Sequence, residues 1–358
     1  MSFKGKMSDR TYPRLLGFGI SLLDIIIDNS QDLLDMYNLP ANGEVRISES
    51  DELISIFKDV SLFSNDRLHF RPGGATLNAL KVAQWCLGNE GRTVVISCVN
   101  DDFNGQTLRQ AMAQAGVDAL FQVKSGAPTG SCLVICTGAD RCLVTYGGVS
   151  YNLTVDIFDE EDTKAAVEAS EFFYCSGYSL VGCFEAIERL AVHANESSDK
   201  VFALNMAATY VCQQYADHFK SILPFVDVLF GNQTEAYALS QACGLQAHTC
   251  EDIALQLCMW KRERKKRLSR VIVITQGAYP ALLAVDNKVM SFPAPTIPEG
   301  EIVDANGAGD AFVGGFLSSL MKKQTYDAAV MAGHKAAGIV LRQRGCDLPD
   351  ISWHQCTI

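Results

Sequence analysis

The sequence predicts an α/β fold: a doubly wound, mostly parallel sheet flanked by helices, with a small mixed α/β lid. Three observations predict it. Short apolar runs alternate with amphipathic stretches through most of the 358 residues. The runs are rich in β-branched and aromatic residues with few polar breaks, as suits strands covered on both faces. Two stretches, about 22–72 and 121–149, interrupt the alternation with strands lacking crossover helices, and these are expected to form the lid.

Residues 1–13 are polar without an apolar core segment and read as a disordered tail ahead of one domain over 14–358. Buried strands are expected at 93–99, 172–175, 201–204, 228–230 and 271–274. Helical patterns lie between them at 76–87, 106–115, 184–194 and 252–260, and two more end the chain at 308–320 and 326–341. This β-α-β order implies right-handed crossovers and a parallel sheet. Residues 23–28 and 131–136 read as strands of the second, smaller sheet.

Composition narrows the function classes. Hydrophobic residues make up 48% and charged residues 20%, which suits a globular core. A formal net charge of -11 argues against nucleic acid or an anionic membrane as partner. No run reaches the roughly 18 apolar residues of a membrane span. Thirteen scattered cysteines without a Cys-x-x-Cys read as free thiols, Cys132, Cys136 and Cys142 among them. These features place the protein in the cytoplasm, and the basic run 261–267 leaves a nuclear fraction open while reading first as a solvated turn.

The common nucleotide and hydrolase motifs are missing: no P-loop, no protein-kinase catalytic loop, no His-Glu-x-x-His, no Gly-x-Ser-x-Gly. Gly17-Phe18-Gly19 lacks the third glycine of a dinucleotide fingerprint. The strongest signal is Asp304-Ala305-Asn306-Gly307-Ala308-Gly309-Asp310. An apolar strand end enters a glycine turn that opens a helix, so the first N–H groups face outward and can hold an anion. Such groups stabilise the charge of a transferring phosphoryl group, and Asp310 in the first turn can accept the proton of an attacking hydroxyl. A plain turn with Asp310 favouring the helix dipole is the structural alternative.

Three weaker constellations accompany it. Gly73-Gly74 opens a helix that carries Asn78, a donor and acceptor suited to a polyol. Asn232 and Glu235 follow a strand and share a helix face; they suit water-mediated positioning of Mg²⁺ or, alternatively, form a capping box. Thr275-Gln276-Gly277 turns just past another strand, where nucleotide phosphate or ribose could sit. Asp24 is a carboxylate in an apolar strand and needs partners, sugar hydroxyls among them.

In combination these motifs resemble the ribokinase-type (PfkB) carbohydrate kinases. Residues 81–85, 310–317 and 332–337 are similar to its adenosine-phosphorylating branch. The resemblance runs from about Leu16 to Pro349. It implies a purine-salvage enzyme that moves the γ-phosphoryl group of ATP to the 5′-hydroxyl of adenosine, with Mg²⁺, as a monomer; a monovalent cation is left open. It implies Asp310 as base, Gly307, Ala308 and Gly309 as anion hole, and Arg141 as the lid arginine reaching the phosphates. Asp24, Gly73, Gly74, Asn78 and Tyr210 match the nucleoside side, and Asn205, Thr275, Gly277, His334 and Asn306 the ATP side. Asn232 and Glu235 match the motif that organises Mg²⁺. Departures cluster around the nucleoside: Ile20, Glu44, Arg46, Ala75, Thr145, Gly147 and Ser179. They leave open a kinase of another nucleoside or sugar, or a catalytically quiet nucleoside-binding protein on the same fold.

Overall fold

The computed structural model describes residues 14–28, 31–41, 43–47, 55–56, 68–137, 140–263 and 269–356, and the side chains of all these except 28, 44, 46, 47, 140, 141 and 299. The chain enters at β1 (Arg14–Phe18), β2 (Leu22–Asp28), α1 (Gln31–Met36), β3 (Gly43–Ile47) and β4 (Leu68–Gly73). It continues through α2 (Ala75–Leu87), β5 (Arg92–Val99), α3 (Phe103–Gln114), β6 (Asp118–Val123), β7 (Thr129–Thr137) and β8 (Asp140–Gly148). Next come α4 (Glu161–Ala169), β9 (Phe172–Ser176), α5 (Phe184–Glu196), β10 (Val201–Asn205), α6 (Thr209–Gln214), α7 (Ala216–Ile222) and β11 (Val228–Asn232). The last part holds α8 (Gln233–Cys243), α9 (Cys250–Cys258), β12 (Val271–Gln276), β13 (Tyr279–Val285), β14 (Lys288–Phe292), α10 (Ala308–Met321) and α11 (Tyr326–Val340).

Nine strands form the large sheet in the order β14-β13-β12-β11-β10-β9-β1-β5-β6. Strands from β6 to β12 are parallel, and the β12-β13-β14 edge is antiparallel. Its side chains alternate between two cores. Leu16, Ile96, Phe173, Phe202, Leu229 and Ile272 face the layer holding α4, α5, α8 and α9. Leu15, Val95, Tyr174, Ala203, Phe230 and Val273 face the layer holding α2, α3, α10 and α11. Both faces are covered, which is why these strands read as continuous apolar runs.

Five strands form the second sheet in the order β3-β8-β7-β2-β4. One of its faces packs Ile25, Ile27, Leu133, Ile135 and Val144 against Leu33 and Leu34 of α1. The expected lid boundary needs one correction. Residues 118–123 pair in parallel with β5 as the edge of the large sheet, because α3 makes a regular crossover between them. The small sheet resumes only at Thr129. The expected tail at 1–13 lies outside the described residues. Among the described residues no helix is long and apolar enough to cross a membrane. All 13 cysteines are free, and no group of three or more metal-binding side chains assembles among the described residues.

Candidate active site

In the large sheet the strand order reverses at β1, whose neighbours are β5 on one side and β9 on the other. Ligands of open α/β sheets bind beyond the carboxyl ends of strands at such a reversal. A cleft of about 280 Å³ lies there. Large-sheet strand ends and the segments after them supply Ile20, Ser176, Asn205, Asn232 and Thr275 to its wall. The small sheet supplies Leu22, Asp24, Cys132, Val134, Leu143 and Thr145.

The turn before α10 is held by its own first residue. Asp304 is buried; its Oδ1 accepts from the N–H of Asn306 at 2.7 Å and its Oδ2 from the N–H of Gly345 at 2.8 Å. Gly307 closes the turn at φ 77°, and a Cβ there would stand 2.7 Å from the Cβ of Cys346. Only a residue without a side chain meets both demands. The helix then starts, and the N–H groups of Gly309 and Asp310 have no backbone acceptor among the described residues.

Asp310 projects into the cleft from the first turn of α10, where Oδ2 accepts a hydrogen bond from Nδ2 of Asn78 at 3.0 Å. Asn78 reaches it because Gly74 starts α2 at φ 95° close to the chain, where a Cβ would lie 2.5 Å from the carbonyl oxygen of Ile20. Asp24 reaches the same cleft from β2, and Gly73 passes so near its carboxyl that a side chain there would collide with it. Burial pushes the carboxyl of Asp310 up to about 7, with Glu235 adding repulsion while the Asn78 bond and the charge of Lys81 oppose the rise. Burial likewise raises Asp24 to about 7, reinforced by the charges of Asp310 and Asp304 and opposed by Lys81. Two carboxyls in one cleft therefore stand ready to hold or release protons near neutrality.

Asn232 and Glu235 do form the capping box of α8. Oδ1 of Asn232 accepts from the N–H of Glu235 at 2.9 Å, and Oε2 of Glu235 accepts from the N–H of Asn232 at 2.9 Å. Nδ2 of Asn232 donates to Oε1 of Glu235 at 2.6 Å. The pair also lines the cleft, so the structural and functional alternatives coincide. With both Glu235 oxygens already accepting, the pair fits a hydrated Mg²⁺ held through water better than a directly ligated one.

The cleft thus gathers Asp24, Gly74, Asn78, Asn205, Asn232, Glu235, Thr275, Asn306, Gly307, Gly309 and Asp310. Gly73, Ala308, Tyr210, Gly277 and His334 are not on its wall. Tyr210 stands behind Tyr178, ring centroids 6.4 Å apart, and Tyr178 takes the wall position. His334 is buried edge-on against Phe312, with Nε2 unpartnered among the described residues. The side chains of Arg141, Glu44 and Arg46 lie outside the described residues, and Gly147 presses against the ring of Tyr151. Sequence reasoning missed Tyr151, Ser176 and Tyr178, which reach the wall from irregular segments or a strand end with no motif, and Asp304 as the tie of the turn.

A family profile, pfkB family carbohydrate kinase, matches residues 38–353. The chain belongs to this family. Among curated relatives, adenosine kinase 2 of Arabidopsis thaliana is 34% identical over 336 residues, covering 94% of this chain and 96% of its own length. The crystal structure of Anopheles gambiae adenosine kinase with P1,P4-di(adenosine-5) tetraphosphate superposes with a TM-score of 0.85 at 31% identity, covering 93% of this chain and 96% of that one. Schistosoma mansoni adenosine kinase with adenosine in an occluded loop conformation gives a TM-score of 0.86 at 26% identity, covering 94% and 97%. Within the pfkB kinases the chain falls in the adenosine kinase branch.

Proposed function

We propose that the chain transfers the γ-phosphoryl group of ATP to the 5′-hydroxyl of adenosine, giving AMP and ADP, as a purine-salvage enzyme. The observation that carries this reading is Asp310, a carboxyl raised to about 7, set beside N–H groups with no backbone acceptor at the start of α10. A base belongs where the attacking hydroxyl loses its proton, and fixed dipoles belong where the transferred group gathers charge. Full-length adenosine kinase relatives support adenosine as the acceptor.

In this mechanism Asp310 takes the proton of the 5′-hydroxyl as the oxygen attacks the γ-phosphorus. The amides of Gly309 and Asp310 receive the developing negative charge, whereas Ala308, expected in the anion hole with Gly307 and Gly309, directs its N–H to the carbonyl of Ala305. Asp24 and Asn78 hold ribose hydroxyls, so the acceptor arrives oriented. Asn306, Thr275 and Asn205 line the nucleotide side, and Asn232 with Glu235 would hold a hydrated Mg²⁺ through water. The metal, when bound, neutralises phosphate charge. Arg141 is assigned to the phosphates from the lid.

The test is ATP consumption across adenosine, inosine, guanosine, cytidine, ribose and fructose. Adenosine is expected to give the highest kcat/KM. A different preferred acceptor would reassign the substrate, and adenosine binding without turnover of any acceptor would make the chain a binding protein.

A further inference from the structure

The cleft concentrates negative charge. Asp24 comes from β2, Asp304 and Asp310 from the turn and first helical residues of α10, and Glu235 from α8. The other titratable groups facing Asp310 are the phenol of Tyr174 on β9 and the thiol of Cys346 beyond α11, both raised by burial and therefore neutral. Arg71, across from Asp24 on β4, is held by Asp347 at 2.7 Å.

Lys81 lies three residues after Asn78 on α2, hence on the same helix face, and Asn78 bonds Asp310 directly. Its side chain is 8% exposed and forms no hydrogen bond or ion pair among the described residues. Lys81 is nearly buried as a residue, and charge between partly buried groups is weakly screened, so its ammonium acts on nearby carboxylates without a contact. The groups that feel its charge are Asp24, Asp310 and Cys346.

We propose that Lys81 is a positioning residue for phosphoryl transfer: its ammonium supplies the charge that lets Asp310 and Asp24 be ionised together in one cleft. The proposal rests on Asp310 being the base of the reaction. Lys81 touches no reacting atom. It acts through the charge state of the carboxylates and lowers the pH at which the base becomes available.

The test compares the pH dependence of kcat/KM for adenosine in the wild type, Lys81→Met and Lys81→Arg. The acid limb of Lys81→Met is expected to move up by roughly 0.5–1 pH unit, and Lys81→Arg to keep it in place. A folded Lys81→Met protein whose limb stays at the wild-type position overturns the proposal, since a merely structural lysine would change stability without moving the limb. Should the wild type fail to phosphorylate adenosine, the substrate assignment falls. Infrared titration of the protonated carboxyl band in the same full-length proteins then reads the same shift or its absence. If Lys81→Met does not fold, Asp24→Asn/Lys81→Met removes one charge of each sign and is expected to regain the lost stability. A double variant no more stable than Lys81→Met overturns the proposal.

Discussion

The two ends of the cleft are built on different physical terms. At the α10 end the polar side chains hold one another and leave the first helix N–H groups open: Asp304 ties the turn, Asn78 holds Asp310, and Asn232 and Glu235 cap each other. At the opposite end, where the small sheet meets the segments after β1 and β9, the wall is mostly apolar, with Ile20, Leu22, Val134, Leu143 and Tyr178. The hydroxyls there are loosely committed. Ser176 and Ser179 are buried without a partner among the described residues, and Thr145 reaches only the Cys132 sulfur at 3.5 Å. Phosphoryl transfer needs dipoles fixed before the charge develops. Recognition of a flat apolar ring needs area and shape, and each change there alters discrimination by only about 1–3 kcal/mol. One end is therefore intolerant of substitution and the other adaptable, which fits a kinase centre that stays intact while the residues around the nucleoside vary.

The comparison can be broken first at Asp310. Asp310→Asn keeps the shape and the neighbour Asn78 but cannot take a proton. Turnover is expected to fall by roughly 10²–10⁴ with adenosine affinity nearly kept, measured by steady-state kinetics and calorimetric binding. Unchanged turnover would move the base elsewhere. Gly307→Ala comes next. It forces a side chain into φ 77° and against Cys346, so the turn must shift. A loss of about 1–3 kcal/mol in urea unfolding and a fall of roughly tenfold or more in kcat are expected.

The pH dependence sharpens the same contrast. Asp310 must be ionised to act, so kcat/KM should fall as pH drops below about 7 in the free enzyme. Stability runs the other way. Both carboxyls are raised above the unfolded value near about 4, so the folded state binds more protons between there and about 7. Their contribution is fully present below the unfolded value and is lost as pH rises through about 7. Asp24→Asn should flatten that slope in unfolding experiments without the nucleoside; an unchanged slope would deny the raised carboxyl.

The smallest expected effects lie at the other end. Ser179→Ala and Thr145→Val should change KM for adenosine by less than roughly tenfold and leave kcat nearly unmoved. A large loss of kcat from either would mean that the two ends are mechanically coupled and the comparison is wrong.

Much of this molecule was legible in its residues for local reasons. The strands of the parallel sheet are covered on both faces, so their apolar runs stand out, and the glycine turns announce themselves because few other residues allow φ near 77° or 95°. The antiparallel β13-β14 edge has a weaker pattern, because only Ala281–Ala284 of β13 are buried and β14 is short and largely half-exposed. The lid expectation took in residues 121–123, the end of an edge strand of the large sheet, because an edge strand and a small-sheet strand look alike in a sequence. The capping box at Asn232 and Glu235 could not be told from a metal motif, since both need the same two residues at the same spacing, and the structure finds the pair serving as cap and wall together.

By itself, then, the sequence determined the fold class, the glycine turn and helix start at residues 304–310 and the family to which the chain belongs, because backbone conformation, helix starts and hydrophobic period are written within a few neighbouring residues. Only the tertiary structure decided which side chains share one electrostatic field. It put Asp24 of the small sheet, Asp310 of the large domain and Lys81 of α2 into one charged cluster, replaced Tyr210 by Tyr178 on the wall, and left His334 behind it. Proximity between residues more than two hundred positions apart, such as Asn78 and Asp310, comes from sheet order and helix packing, which no local pattern encodes.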